Sequence, residues 1–235
     1  MSGFQQRCLW EVATPAPIDA GALVGEVKVD VCVIGGGITG LSAALQLLEA
    51  GKRVCVLEAF EVGHGGSGRN VALVNAGPWI KPDDVEATLG EKVGGRLNKV
   101  LGDAPAKVFE AIARYQIDCQ ARHQGTLHMA HNAAGLEDLK AREAQWRRRG
   151  ADVELLTGAT CVEHCGTDKI TGALLDRRAG TINPMGYTKG LAAAVLRLGG
   201  TLHQQSPVNE LHRQADGWLV RTAQGTVCLL YTSDA

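Results

Sequence analysis

Three glycines carry the first chemical signal. Gly35, Gly37 and Gly40 belong to the run Gly35-Gly36-Gly37-Ile38-Thr39-Gly40, which reads G-x-G-x-x-G. Alone, such a run is weak evidence. Here it follows an apolar segment, Val29–Ile34, and opens a helical pattern, LSAALQLLEA. A second apolar segment, Arg53–Leu57, then ends at Glu58. That is the setting a dinucleotide-binding turn requires. Gly35 permits the tight turn, Gly37 lets backbone approach a pyrophosphate, and Gly40 lets the helix lie close to the strand. The helix head offers unpaired N–H groups and partial positive charge to phosphates. Glu58 can accept hydrogen bonds from ribose hydroxyls, and its charge repels a 2′-phosphate. The competing reading is a structural glycine turn with Glu58 as a surface charge.

The elements that position these residues form a βαβ unit of about 30 residues. Its strands are nearly unbroken apolar runs, as parallel strands covered on both faces are. Gly51 is a left-handed cap for the helix between them. Residues 1–28 read as an arm, in which Pro15 and Pro17 oppose a helix. Residues 61–78 are glycine-rich and irregular, and loops of such length are usually functional or disordered. Residues 82–150 read as mostly helical, broken by a strand-like GTLHMAH at 125–131, and residues 151–180 as short strands and turns. Pro184 opens a helix through Leu198, Thr201–His203 can add a third strand, and the segments from Asn209 to Leu230 form an antiparallel meander.

The composition narrows the function classes. A 45% hydrophobic and 21% charged chain of 235 residues can build a core, so disorder is excluded for most of it. A net charge of −1 offers no electrostatic basis for a nucleic-acid partner. No apolar run approaches the roughly 20 residues of a membrane span, and the first residues lack a secretory pattern. Seven irregularly spaced cysteines fit a reducing compartment. The expected location is the cytoplasm. Cys161, His164 and Cys165 lack a second ligand pair, so no metal is expected.

The glycine fingerprint does not separate NAD from FAD. The sequence after Glu58 does more. Instead of another helix and strand, the chain enters GHGGSGRNVALVNAG, where Ser67, Arg69 and Asn70 can meet a second part of an extended cofactor. DVCVIGGGITGLSAALQLLEAGKRVCVLEA followed by GHGGSGRN resembles the D-amino-acid oxidase-like FAD-dependent oxidoreductases, in particular their γ-glutamylputrescine oxidoreductase-like group. Leu9-Trp10, GTLHMAH, LLDRRAGTINPMGYTKGLAAA and SPV extend the likeness over nearly the whole chain.

The resemblance implies an α/β fold, with a Rossmann-type FAD-binding domain interrupted by a helical and antiparallel α+β substrate domain. The expected division is an arm at 1–28, an FAD-binding domain at 29–80 and 181–227, and a substrate (cap) domain at 81–180. By the same resemblance, the Gly35–Gly40 turn holds the FAD pyrophosphate and Glu58 the adenosine ribose. Ser67, Arg69 and Asn70 lie on the loop approaching the flavin, and the backbone of Val208 meets the adenine. Asn70 stands where some relatives attach flavin covalently through a histidine. The implied activity is oxidation of the C–N bond of an amine or amino acid by hydride transfer to the flavin. An NAD-linked dehydrogenase and a non-catalytic, partly folded fragment are the alternatives. Full members of the family run longer, so an inactive N-terminal fragment is expected, with catalytic residues in the remainder. Residues 228–235 (CLLYTSDA) break the likeness and read as a non-native tail. Asp176, Arg177 and Arg178 fit equally a pocket lining and an ion-paired turn. Tyr187 fits helix packing better than a place facing the flavin.

Overall fold

The computed structural model describes residues 8–14, 16–215 and 217–230, and these divide into two compact units. The first comprises the described residues up to Val71, Tyr115–Cys119, and those from Asn183 onward. The second comprises Ala72–Arg114 and Gln120–Ile182.

The first unit contains α1 (Leu9–Ala13), β1 (Gly25–Val29), β2 (Val31–Ile34), α2 (Ile38–Glu49), β3 (Val54–Leu57) and α3 (Gly66–Arg69). It continues with α9 (Pro184–Arg197), β9 (Thr201–His203), β10 (Glu210–Gln214), β11 (Gly217–Arg221) and β12 (Gly225–Leu230). The strands β2, β3 and β9 form a parallel sheet in the order β2-β3-β9. All four residues of the central strand β3 are buried, as expected of a strand with two covered faces, whereas β2, read the same way from its apolar run, is half-buried with Ile34 exposed, because it stands at the edge of this sheet. The helix α2 buries Leu41, Ala44 and Leu45, a 3–4 spacing that gives one apolar stripe. The helix α9 begins with Pro184 in its first turn, and the Asn183 side chain accepts the Gly186 N–H at 2.9 Å.

A second sheet runs β1-β12-β11-β10. In it, β12 lies parallel to β1 and antiparallel to β11. Val227 therefore sits between Val27 and Val220, fully buried in a cluster with Leu23, Val29 and Leu57.

The arm differs from its sequence-based reading. It holds one helical turn, α1, and ends in a strand, β1. Proline excludes a helix interior behind it, not a turn ahead of it. The helix stops at its C-cap Thr14, the residue before Pro15. The apolar run that reads as one strand from Val29 is two strands, split at Asp30. The amides of Asp30 and Val31 both donate to the Arg53 carbonyl, at 3.0 and 3.1 Å. Asp30 in turn accepts the Arg53 N–H at 2.7 Å and its guanidinium at 2.6 Å. Residues 228–230, expected in a tail, are part of β12, where Cys228 faces Lys28 and Leu219. Residues 231–235 lie outside the described residues.

The second unit holds β4 (Leu73–Val74), α4 (Pro82–Leu89), α5 (Glu91–Gly102), α6 (Ala104–Arg114), β5 (Thr126–Ala130) and α7 (Ala133–Arg148). It is completed by β6 (Val153–Leu156), α8 (Gly158–Cys165), β7 (Gly172–Asp176) and β8 (Gly180–Thr181). The antiparallel sheet β5-β7-β6 is covered on both sides. Leu174 joins Ala130, Leu139, Trp146 and Val153 on the α7 face, while its neighbours Ala173 and Leu175 join Leu156 and Cys161 on the α8 face. This is the two-residue period of a strand expressed in packing. The helix α8 replaces the turns read at that position: GATCVEHC opens with glycine and buries only Cys161 among its residues, so its apolar pattern is thin. Among the described residues, no helix is long and apolar enough to cross a membrane.

Two measurements check this account. Removing two buried methyl groups in Val227→Ala should cost about 2 kcal/mol in urea unfolding; an unchanged midpoint would mean that β12 does not pair as described. The Arg53 side chain and its N–H hold the Asp30 carboxyl down at about 2, against an ordinary 3.8. A depressed carboxylate stabilises the fold above the unfolded-state pKa, and that contribution is lost as pH falls through the folded one. Asp30→Asn should therefore flatten the stability profile between about pH 4 and pH 2 and leave its shape at neutral pH unchanged.

Candidate functional site

All three parallel strands of the first unit end at one place. Gly35 follows β2, Glu58 follows β3, and the segment 204–208 follows β9. Between them lies a cleft of about 380 Å³, lined by Gly35, Gly37, Glu58, Ser67, Ser206 and Val208 among others. Open parallel sheets bind ligands at this edge, because strand ends leave a crevice and the following helix presents its N-terminus to it.

The turn at the head of α2 uses its glycines for different reasons. Gly35 takes φ +109°, a backbone state that side chains disfavour, and its N–H donates to the Leu57 carbonyl at 2.8 Å. Gly37 has an ordinary φ of −92°. Its constraint is space: a Cβ there would stand 2.7 Å from Ser67 Oγ. A Cβ at Gly40 would run into the Gly35 carbonyl, so the third glycine is needed for close approach of helix to turn.

Glu58 is fixed by backbone. Its Oε2 accepts the Gly36 N–H at 2.7 Å and its Oε1 the Phe60 N–H at 2.9 Å. A carboxylate has about four lone-pair sites, so each oxygen keeps capacity for a ligand hydroxyl. The Glu58 amide donates to the His203 carbonyl, and its carbonyl accepts the Ser206 N–H at 2.8 Å. Ser67, in the single turn α3, accepts the Ile38 N–H at 3.0 Å. This occupies one of the helix-head amides that sequence reasoning left open to phosphate.

The remaining sequence candidates are placed as follows. Val208 lines the cleft and packs on the Val227 cluster. Ile38 and Thr39 form the first turn of α2. Arg69 and Asn70 lie outside the cleft lining: Arg69 pairs with Glu11 at 3.1 Å, and the Asn70 amide donates to the Ser67 carbonyl at 3.0 Å. Sequence reasoning missed Ser206, buried beside the cleft, whose Oγ accepts the Leu23 N–H and donates to the Gln204 carbonyl, both at 2.9 Å. It also missed Phe60 and His64, whose rings stand 4.6 Å apart on the cleft wall. The SPV motif marks the first. The others carry no signal beyond their place in the loop.

The family model for the DAO group, described as FAD dependent oxidoreductase, matches residues 30–231. The chain belongs to this family. Gamma-glutamylputrescine oxidoreductase of Escherichia coli (strain K12) is 39% identical to it over 219 residues, which is 92% of this chain and 50% of that protein. Among solved structures, glycine oxidase from Geobacillus kaustophilus matches with a TM-score of 0.70 at 22% identity, over 86% of this chain and 53% of that one. L-alpha-glycerophosphate oxidase from Mycoplasma pneumoniae, with FAD bound, matches with a TM-score of 0.67 at 19% identity, over 86% and 52%. The chain spans about half the length of the curated relatives it matches. The fold is that of the DAO family, and FAD is the cofactor of the family.

The second unit of this DAO-family chain has its own cleft, about 630 Å³, with Trp79, His128, Arg142, Trp146 and Asp176 in its wall. Burial holds His128 below the usual imidazole range, aided by the nearby Arg142 cation. Asp176 is both a lining residue and an ion-pair partner, since Arg178 chelates it at 2.6 Å. Arg177 pairs instead with Glu154 at 2.6 Å. Tyr187 is buried in α9, and burial pushes its hydroxyl up to about 12.

The packing of Gly37 on Ser67 is open to a direct test. Gly37→Ala should cost about 1–3 kcal/mol, the usual scale of overpacking. In a Ser67→Ala background most of that cost should disappear, because the oxygen at 2.7 Å is gone and the next atom is the Ser67 Cβ at 3.6 Å. Equal costs in both backgrounds, measured by urea unfolding, would show that the contact is not the constraint.

Proposed function

We propose that the first unit binds FAD through the Gly35–Gly40 turn and Glu58, and that the chain takes part in oxidation of an amine or amino acid. The observation that carries this reading is the meeting of the glycine turn, the Glu58 carboxylate and Ser67 in one cleft at the ends of parallel strands. The residues fit the cofactor. A Cβ at Gly37 would fill the space between turn and loop, and Glu58 is held by two backbone amides with acceptor capacity left over. When bound, FAD supplies a two-electron acceptor for the hydride of a carbon bearing nitrogen, leaving an imine that water hydrolyses.

The chain's own residues then have defined tasks. The backbone of Gly35–Gly37 approaches the pyrophosphate without side chains. The head of α2 adds its positive end. Glu58 accepts from the ribose hydroxyls and opposes a 2′-phosphate. Val208 offers its backbone beside the adenine, and Ser67 and its loop are the side toward the flavin. The substrate is a small amine or amino acid, in keeping with the name of the relative at 39% identity.

The test is a titration of the chain with FAD, followed by flavin fluorescence, beside NADP. Saturable binding of one FAD and weaker NADP binding are expected. Glu58→Gln should weaken FAD binding about tenfold, the equivalent of about 1.4 kcal/mol. Tighter NADP binding, or identical FAD binding in Glu58→Gln, would overturn the assignment of Glu58. Bleaching of the flavin band by γ-glutamylputrescine or a simple amino acid under anaerobic conditions reads the oxidation itself.

A further inference from the structure

The loop that carries Ser67 is closed locally by the Asn70 amide on the Gly66 and Ser67 carbonyls, and α9 reaches it through the Thr188 hydroxyl on the Ser67 carbonyl at 3.4 Å. Gly63, Gly65, Gly66 and Gly68 make it costly to order, because glycine loses the most backbone freedom on folding. Its only helical turn, α3, has four residues and no side chain bonded at its N-cap. A further set of ties comes from the N-terminal arm. Trp10 donates its indole N–H to the Asn70 carbonyl at 3.0 Å, and Glu11 pairs with Arg69 at 3.1 Å. The Cys8 thiol stands 3.8 Å from the Gly68 carbonyl. All three cross about 60 residues of chain and land within three consecutive positions, 68–70.

The arm behind these contacts is itself strapped down. Asn183 donates to the Thr14 hydroxyl at 2.8 Å, and Lys189 Nζ reaches the carbonyls of Thr14 and Ala16, each at 2.8 Å. Further on, the Gln204 amide nitrogen donates to the carbonyls of Ile18 and Ala20, while its oxygen accepts the Val62 N–H at 2.8 Å. Gln204 thus joins the arm to the start of the same glycine loop.

We propose that the N-terminal arm is a clasp, with Trp10 and Glu11 as positioning residues that hold the Ser67 loop in its cofactor-binding shape. The part that concerns cofactor affinity rests on the function proposed above. The clasp does not touch the cleft. It removes alternative conformations of the loop, so a ligand that needs Ser67 against the head of α2 no longer bears the cost of ordering it.

The experiment uses the chain with Trp10→Phe, which keeps a ring and deletes the donor, and with Glu11→Gln. Leu9→Ala, an exposed neighbour on the same turn, is the control. Amide hydrogen exchange over residues 63–70 and the FAD dissociation constant are read for each. Trp10→Phe should speed exchange in 63–70 while leaving β11 and β12 unchanged, and should raise the dissociation constant about fivefold, the scale of one hydrogen bond. Glu11→Gln should act in the same direction by about twofold, the scale of an exposed ion pair, and Leu9→Ala should do neither. Unchanged exchange in 63–70, or faster exchange spread evenly over the unit, overturns the clasp. Faster local exchange with an unchanged dissociation constant overturns its link to the cofactor. If the unaltered chain takes up no FAD, the proposed function fails, and the exchange pattern alone decides the clasp.

Discussion

The hydroxyl of Ser67 occupies the space a side chain at Gly37 would need, and the shape of the cleft at the ends of the parallel strands rests on that contact. It brings a loop more than two dozen residues away against the first turn of α2, where Ser67 accepts the Ile38 N–H. Once the loop lies there, Glu58 and Ser206 complete the wall by backbone hydrogen bonds from the ends of β3 and the chain after β9. A larger residue at Gly37 would push the loop off the helix head and open the cleft on that side. The same turn needs Gly35 for its backbone angle and Gly40 for the approach of helix to turn. Three glycines in six positions thus answer three separate constraints: torsion, lateral contact and packing.

The parallel sheet explains why these pieces meet at all. Its strands run in one direction, so their C-terminal ends lie on one edge, and each following segment contributes to the same crevice. The second sheet packs against the first through β12 and their shared buried cluster. Val227 is held between β1 and β11 and shares a buried cluster with Leu57 of β3, so the meander and the parallel sheet have a common core. The second unit is built on a different rule. Its antiparallel sheet has a helix on each face, and alternate residues of β7 serve the two cores.

Much of this was legible in the sequence because the signals were local. The βαβ unit, the strand at 201–203, the long helix opened by Pro184 and the meander each follow from apolar period and turn chemistry. The family likeness rests on the fingerprint and GHGGSGRN, and the match across residues 30–231 bears it out. What could not be read depends on contacts between distant residues. The helical turn at LWEVA has only a faint local signal, Glu11 accepting the Cys8 N–H, and is further held by Trp10 and Glu11 meeting residues 70 and 69. The division of one apolar run at Asp30 comes from Arg53, on the neighbouring strand's approach. Ser206 looks like an ordinary loop serine until Leu23 is seen donating to it. Arg69 and Asn70 illustrate the reverse. Their types suggested donors for a ligand, and in the fold both are engaged with the chain itself.

On the proposed reading, the Gly35–Gly40 turn, Glu58 and Ser67 together form the adenosine-pyrophosphate end of an FAD site. A crystal structure of the chain grown with FAD tests it most directly. Ribose hydroxyls are expected within hydrogen-bond distance of the Glu58 carboxylate, pyrophosphate oxygens over the backbone of Gly35–Gly37, and adenine beside Val208. FAD density elsewhere on the chain, or with its phosphates away from the head of α2, would contradict it.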